Sequence, residues 1–137
     1  MLLLFPAAAL IMLLLGAIAV DVALTQVRAR ELQSVAASAA NDALAALDVV
    51  RLRNGDGIVI GEPAARTIAE SSVAAGSLST ASVETVVVTT DAQGRTVIAV
   101  TLSLDVDLVM APAVGDLDRI TLRRTGRATI LGSEPGP

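Results

Sequence analysis

The feature that most constrains this chain is an uninterrupted apolar run near its N-terminus. Leu2 to Val20 contains no charged and no strongly polar side chain, and Asp21 ends the run. As an α-helix this segment would be about 28 Å long, close to the ~30 Å hydrocarbon core of a bilayer. Pro6 falls in the first turns, where a missing N–H is best tolerated. Since a buried helix of this length would normally show a polar stripe, the sequence predicts a membrane-spanning helix over residues 1–20.

A cleaved signal peptide is the alternative interpretation of the same run. Residues 17–19 (Ala-Ile-Ala) have the small-x-small pattern of a signal peptidase site, and cleavage after Ala19 would leave Val20 as the N-terminus. Two observations favour the anchor. No Arg or Lys precedes the run, and helix-forming sequence continues through the cleavage point.

The helix is predicted to continue beyond the span as a stalk over residues 21–50. This stretch contains no Gly or Pro and is rich in good helix formers. Apolar residues recur every three or four positions and form a narrow stripe: Leu32, Ala36, Ala39, Ala43, Leu47 and Val50. The stripe is mostly Ala, so it can pack closely against a partner, either this chain's own sheet or neighbouring helices. Asn54 and Gly55 supply the predicted stop.

Residues 51–137 are predicted to form a small head. Pro63 suits the first turn of a short helix that runs to Ala75 and carries Arg66 and Glu70 as an i,i+4 pair. Three strands are expected after it, over Val83–Thr90, Thr96–Met110 and Ile120–Leu131.

The second strand has the clearest alternation, with its even-numbered residues from Ile98 to Leu108 apolar, which indicates an antiparallel sheet with one wet face. The predicted fold class is therefore α+β: a long N-terminal helix (membrane span plus stalk), a short helix and a three-stranded antiparallel sheet. The tail, residues 132–137, is expected to be frayed.

The composition removes most catalytic and recognition chemistry. The chain has no Cys and no His, which excludes a thiolate nucleophile, a disulfide, a zinc cluster and an imidazole base. A net charge of −4 and a single aromatic residue, Phe5, disfavour nucleic acid and aromatic-lined grooves for sugars or proline-rich peptides. We therefore expect no enzymatic activity, no cofactor, no metal and no small-molecule substrate.

Two clusters of charged residues in the head remain as candidate sites. Asp105 and Asp107, with Asp116 and Asp118 in the next loop, offer the oxygen ligands of a calcium site. We interpret these aspartates as part of a solvated strand face and a polar turn, because no twelve-residue calcium loop is present. A basic cluster follows, which could bind an anionic surface but is expected to pair with the aspartates across the hairpin. Its members are Arg119, Arg123, Arg124 and Arg127.

Two smaller motifs do not amount to a site. Gly55-Asp56-Gly57 lacks the Gly-Lys-Ser/Thr ending of a phosphate-binding loop. Ser71 and Ser72 have no base in the composition that could activate them. The sequence therefore contains no recognisable catalytic constellation.

The apolar run leads into Ala19-Val20-Asp21, which is followed by Arg30-Glu31-Leu32-Gln33 and by the Ala-rich stretch Ala36 to Ala46. With these motifs in this order, residues 2–48 resemble the N-terminal segment of TadE/TadG-like Flp (tight-adherence) pilus-assembly proteins, especially those of high-GC actinobacteria. The resemblance implies a pilin-like subunit or assembly factor of the cell surface, anchored in the cell membrane by a single span. It also implies that the head lies outside the cytoplasm and that the N-terminal helix contacts lipid and other pilin-like subunits.

Two features differ from that pattern. No Gly and Glu of a prepilin processing site lie upstream of the apolar run, and no basic stretch precedes the span, so we expect the start codon to lie further upstream. Arg28 and Arg30, which follow the span, favour by the positive-inside rule a cytoplasmic head, opposite to the orientation that the resemblance implies.

Overall fold

One helix, α1 (Leu4–Ala43), carries the chain from the apolar run into the head without a break. The computed structural model describes residues 4–48, 53–54, 60–113 and 118–130. At 1.5 Å per residue, α1 is about 60 Å long. Among the described residues it is the one helix that is long and apolar enough to cross a membrane. Val50, the segment 55–57 and the tail predicted to fray lie outside the described residues.

The two halves of α1 have opposite surroundings. From Phe5 to Val20 every side chain is exposed except that of Ala17, which is half-buried. Beyond this point one face of the helix is buried, and its members are Asp21, Ala29, Leu32, Ala36, Ala39, Ala40 and Ala43. The predicted stripe is therefore present, and this chain's own head is its partner.

The α-helix ends at Ala43, earlier than the predicted end near residue 50. A turn of 3-10 helix (Leu44–Ala46) follows, and Leu47 then leaves the helical conformation, with ψ of 125°. Leu47 forms an antiparallel bridge with Ile60, which returns the chain towards the second helix. Tertiary pairing here overrides the helix propensity of the residues that follow Ala43.

The second helix, α2 (Glu62–Ala75), begins with Glu62 and Pro63 in its first turn, as predicted. Arg66 and Glu70 form the expected pair, with 2.9 Å between Nε and Oε1. Ala65, Ala69 and Val73 are its buried residues. This apolar face packs against α1 and against the first strand of the sheet.

Three antiparallel strands, β1 (Ser82–Thr90), β2 (Thr96–Asp107) and β3 (Arg119–Ile130), lie in the order β1-β2-β3. The predicted fold class, α+β with a three-stranded antiparallel sheet, is confirmed. Strand β2 stops at Asp107, three residues before the predicted end, because the amides that follow turn towards α1.

The core lies between the two helices and one face of the sheet. Helix α1 crosses β2 and β3, and α2 covers β1. The alternation in β2 places Ile98, Val100, Leu102 and Leu104 inside, with none more than 5% exposed. The opposite face carries mostly Thr, Ser and charged side chains and is open to solvent. The head is thus a two-layer unit built on the second half of α1.

Candidate functional site

Asp21 is the first charged residue after the apolar run, and its side chain is only 7% exposed. It points from α1 towards the segment that follows β2, 88 residues further along the chain. A buried carboxylate requires hydrogen-bond donors to offset the loss of hydration. The surroundings of Asp21 are therefore a candidate site.

Three consecutive backbone amides supply those donors. The Val109 N–H donates to Oδ1 at 3.0 Å, and the Ala111 N–H donates to Oδ2 at 2.7 Å. The Met110 N–H lies between the two oxygens, at 3.1 Å from Oδ1 and 3.0 Å from Oδ2. Charge-assisted hydrogen bonds of this kind are stronger than neutral ones. The carboxylate fastens the loop after β2 to α1.

The local sequence explains why these amides are available. The Leu108 N–H donates to the Asp118 carbonyl at 2.8 Å and closes the β2–β3 ladder. The next residues lead into a short 3-10 turn (Ala111–Ala113), and the N–H groups at the start of such a turn have no carbonyl partner within it. Asp21 therefore acts as a cap supplied by a different element.

An apolar groove of about 610 Å³ adjoins Asp21. Its walls come from one side of α1 and from the segment that flanks the β2–β3 loop. The lining residues on α1 are Ala17, Ile18, Asp21, Val22, Thr25 and Gln26, and the facing ones are Leu108, Met110, Ala111 and Ile120. The groove therefore lies where the exposed half of α1 meets the head.

The polar groups of the groove do not form a reactive set. The Asp21 carboxylate is engaged by the three amides, and the Thr25 hydroxyl donates to the Asp21 carbonyl at 2.8 Å. Gln26 is the one further polar residue in the lining. With few polar atoms and no titratable partner beside Asp21 in the lining, the groove suits an apolar occupant.

The carboxylates considered for calcium are engaged by neighbours on β3. Asp105 Oδ1 accepts from the Thr121 hydroxyl at 2.6 Å, and Asp107 Oδ1 accepts from Arg119 Nε at 2.8 Å. Asp118 is exposed, and Asp116 lies outside the described residues. Within the described part of the chain, no three Asp, Glu, His or Cys side chains group as metal ligands.

The basic cluster divides between different partners. Arg119 pairs with Asp107 across the hairpin, as predicted, and the hydrogen bond to this carboxylate is the main cause that raises the pKa of Arg119. Arg123 pairs instead with Glu84 on β1, with 2.8 Å between Nε and Oε1. Arg124 donates to the carbonyl of Arg123. Arg127 lies opposite Ala99 in the β2–β3 ladder and is exposed. The arginines that form ion pairs, Arg119 and Arg123, are therefore engaged by two different carboxylates.

The two serines have structural contacts. The Ser71 hydroxyl donates to the Thr67 carbonyl of its own helix at 2.8 Å. The Ser72 hydroxyl donates to Asp42 Oδ2 at 2.5 Å and so links α2 to α1.

Sequence reasoning missed the role of Asp21, which it used only as the end of the span. One signal was present: Asp21 is the single charge between Leu2 and Val27, with apolar residues on both sides. An isolated acid in such a stretch needs a partner.

Comparison of the chain with protein-family models, with curated proteins and with solved structures finds no match.

Proposed function

We propose that this chain is a non-enzymatic, membrane-anchored protein that presents a small β-rich head outside the cell membrane, as a pilin-like subunit or a pilus-assembly factor. The observation that carries the proposal is the exposed first half of α1. Its large apolar side chains are exposed in the isolated chain, from 43% for Leu14 to 81% for Phe5. An apolar surface of this size is unfavourable in water and marks a membrane or protein contact.

The head does not need the span for its own core. Every described residue of α1 that is buried lies at Asp21 or beyond it. Residues 5–20 are therefore free to lie in lipid, or to pack against the helices of other subunits, while the head stays folded. The separation of the exposed residues 5–20 from the buried face of α1 supports an anchor that moves from the bilayer into a helical assembly.

The same observation favours a second candidate, a secreted small binding domain released by cleavage after Ala19. Among the described residues, cleavage there would remove no buried side chain and would leave Asp21, the stripe and the sheet in place. The groove beside Asp21 would lose Ala17 and Ile18 from its lining. Such a domain would lack the anchor and expose the remaining apolar wall of the groove to solvent.

The mass of the native protein separates the two candidates. We expect the full N-terminal helix to be present and the protein to resist extraction from membranes by alkaline carbonate. A mass that begins at Val20, with the protein in the soluble fraction, would establish the secreted domain instead. Accessibility of the head to an added protease on intact cells reports its orientation.

The pilus assignment requires a separate experiment. We expect deletion of the gene in its source organism to reduce surface fibres and the intact gene to restore them. A version that lacks residues 2–20 is the matched control and should not restore them. A deletion strain with unchanged fibres would remove the pilus role and leave the anchor. Neighbouring genes for a secretion ATPase and a prepilin peptidase are the expected genomic setting.

A further inference from the structure

We infer that the loop of residues 108–113, which follows β2, is a second membrane contact and that the lipid-facing surface extends past Asp21 to Val27. The inference rests on the proposed membrane anchor, and it adds a contact that the head itself makes with the bilayer. The occupant of the groove beside Asp21 is accordingly lipid acyl chain.

Asp21 does not mark the membrane boundary. Its carboxylate is turned inwards and bonded to three amides, so it presents little charge to the surroundings. The first exposed charge after it on α1 is Arg28, whose side chain is 51% exposed. The helix from Phe5 to Val27 is about 34 Å long, enough to cross the ~30 Å hydrocarbon core and enter the interface.

Apolar side chains stay exposed on α1 beyond Asp21. Val22 is 50% exposed, Leu24 is 43% exposed and Val27 is 62% exposed. Gln26, the exposed polar residue in this stretch, is uncharged. An amide is tolerated at the level of the head groups, where water is available. The surface that begins in the span therefore continues without an exposed charge as far as Arg28.

The loop lies beside the helical turn that carries Asp21. The hydrogen bonds to Asp21 hold the amides of residues 109–111 at the level of this helical turn. The loop side chains Val109 and Met110 are 61% and 40% exposed, and residues 108–113 (Leu-Val-Met-Ala-Pro-Ala) carry no charge. If α1 spans the bilayer, this loop must lie at its surface, where exposed apolar residues gain from partial burial.

Continuity with the span favours lipid over a second copy of the chain as the occupant. The groove is lined by Ala17 and Ile18 of the span itself on one side and by Met110 on the other. Its mouth therefore opens next to the residues that lie in the acyl region. An anchor that places Ile18 among lipid chains brings those chains to the groove without a further partner.

The absence of Cys from the chain allows a direct test with single-cysteine variants. The full-length Val109→Cys variant is labelled with an environment-sensitive fluorophore and reconstituted in phosphatidylcholine vesicles. Its emission is compared between vesicles with and without brominated acyl chains. Gln93→Cys, in the exposed turn between β1 and β2, is the matched control outside the membrane. Leu13→Cys in the span reports the anchor itself. Far-UV circular dichroism checks that each variant is folded.

We expect brominated lipid to cause about a twofold loss of emission from the Val109 probe, as for a group ~5–10 Å into the headgroup boundary. The Leu13 probe should be quenched as well, and the Gln93 probe should not. Quenching at Leu13 without quenching at Val109 would overturn this inference and leave the anchor intact. No quenching at Leu13 would remove the anchor and the inference together.

A second copy of the chain on this face would give a different result. The Val109 probe would then be shielded from water but not quenched by brominated lipid, and its emission would shift back when the protein is diluted with excess lipid. This outcome would also overturn the inference.

Discussion

The backbone carbonyl of Ala36 on α1 lies directly over Gly126 on β3. A Cβ placed on Gly126 would overlap the Ala36 carbonyl group and the amide nitrogen of Ala37. Gly126 pairs with Val100 of β2 in the ladder, so this is the point at which α1 crosses β3. A glycine in a strand often marks such a close backbone approach. The contact between two backbones sets how closely the helix can lie on β3.

We expect Gly126→Ala to destabilise the head by about 3 kcal/mol or more, because the clash is with backbone that no change of rotamer relieves. Urea unfolding of the full chain in detergent, followed by far-UV circular dichroism, measures the loss. Gly61→Ala is the matched control, since the nearest atom to its Cβ would be 3.9 Å away. A Gly126→Ala variant as stable as Gly61→Ala would contradict the observed packing.

Leu32 tests whether α1 is part of the core of the head. This side chain is fully buried on the stripe and belongs to the same cluster as Ile98 and Leu102. We expect Leu32→Ala to lower the free energy of unfolding by about 2–5 kcal/mol, from lost burial and the cavity that remains. Val27→Ala, at a position 62% exposed, should cost well under about 1 kcal/mol. Equal effects of the two substitutions would mean that the stalk does not pack on the sheet.

Asp21→Ala should release the loop after β2. The substitution leaves three amides without their acceptor, and we expect faster hydrogen exchange at Val109, Met110 and Ala111 together with a melting temperature lower by several degrees. Glu31→Ala, which breaks only an exposed pair with Arg28, is the control and should leave exchange in the loop unchanged. Unchanged protection in Asp21→Ala would show that the loop is held by other contacts.

Much of this fold follows from local pattern. The apolar alternation of β2 identifies the inward residues, because successive side chains of a strand point to opposite faces. The stripe on α1 follows in the same way from the helical repeat, and Pro63 marks the start of α2. These features depend on residues that are near one another in the sequence, so one sequence is sufficient to predict them.

The features that were missed all depend on pairing between distant residues. Helix α1 stops at Ala43 because Leu47 pairs with Ile60, and the helix propensity of the intervening residues gives no sign of it. Strand β2 stops at Asp107 because the following amides bond to Asp21. Periodicity identifies the face on which a residue lies but not the residue that it meets across the fold. The site at Asp21 was missed for the same reason.

The turn between β1 and β2 gives a prediction for acid pH. Asp91 Oδ1 accepts from the Gln93 and Arg95 amides at 3.0 and 2.8 Å, and Oδ2 accepts from Arg95 Nε at 2.6 Å. Burial by itself raises the pKa of Asp91, but these hydrogen bonds and the charge of Arg95 together outweigh it, and the pKa is lowered. The ionised carboxylate is therefore favoured more in the folded state than in the unfolded chain.

A lowered pKa in the folded state means that the unfolded chain binds the proton first as pH falls. The contribution of Asp91 to stability is complete above the unfolded value of about 3.9 and is lost as pH falls through the lower folded value. We expect wild type to be more stable than Asp91→Asn at pH 7 and this advantage to shrink as the pH falls below the unfolded value of about 3.9. Urea unfolding at a series of pH values measures it. Gln93→Ala keeps the carboxylate and its amide donors, so its difference from wild type should not vary with pH; an Asp91→Asn difference that is equally constant would contradict the prediction.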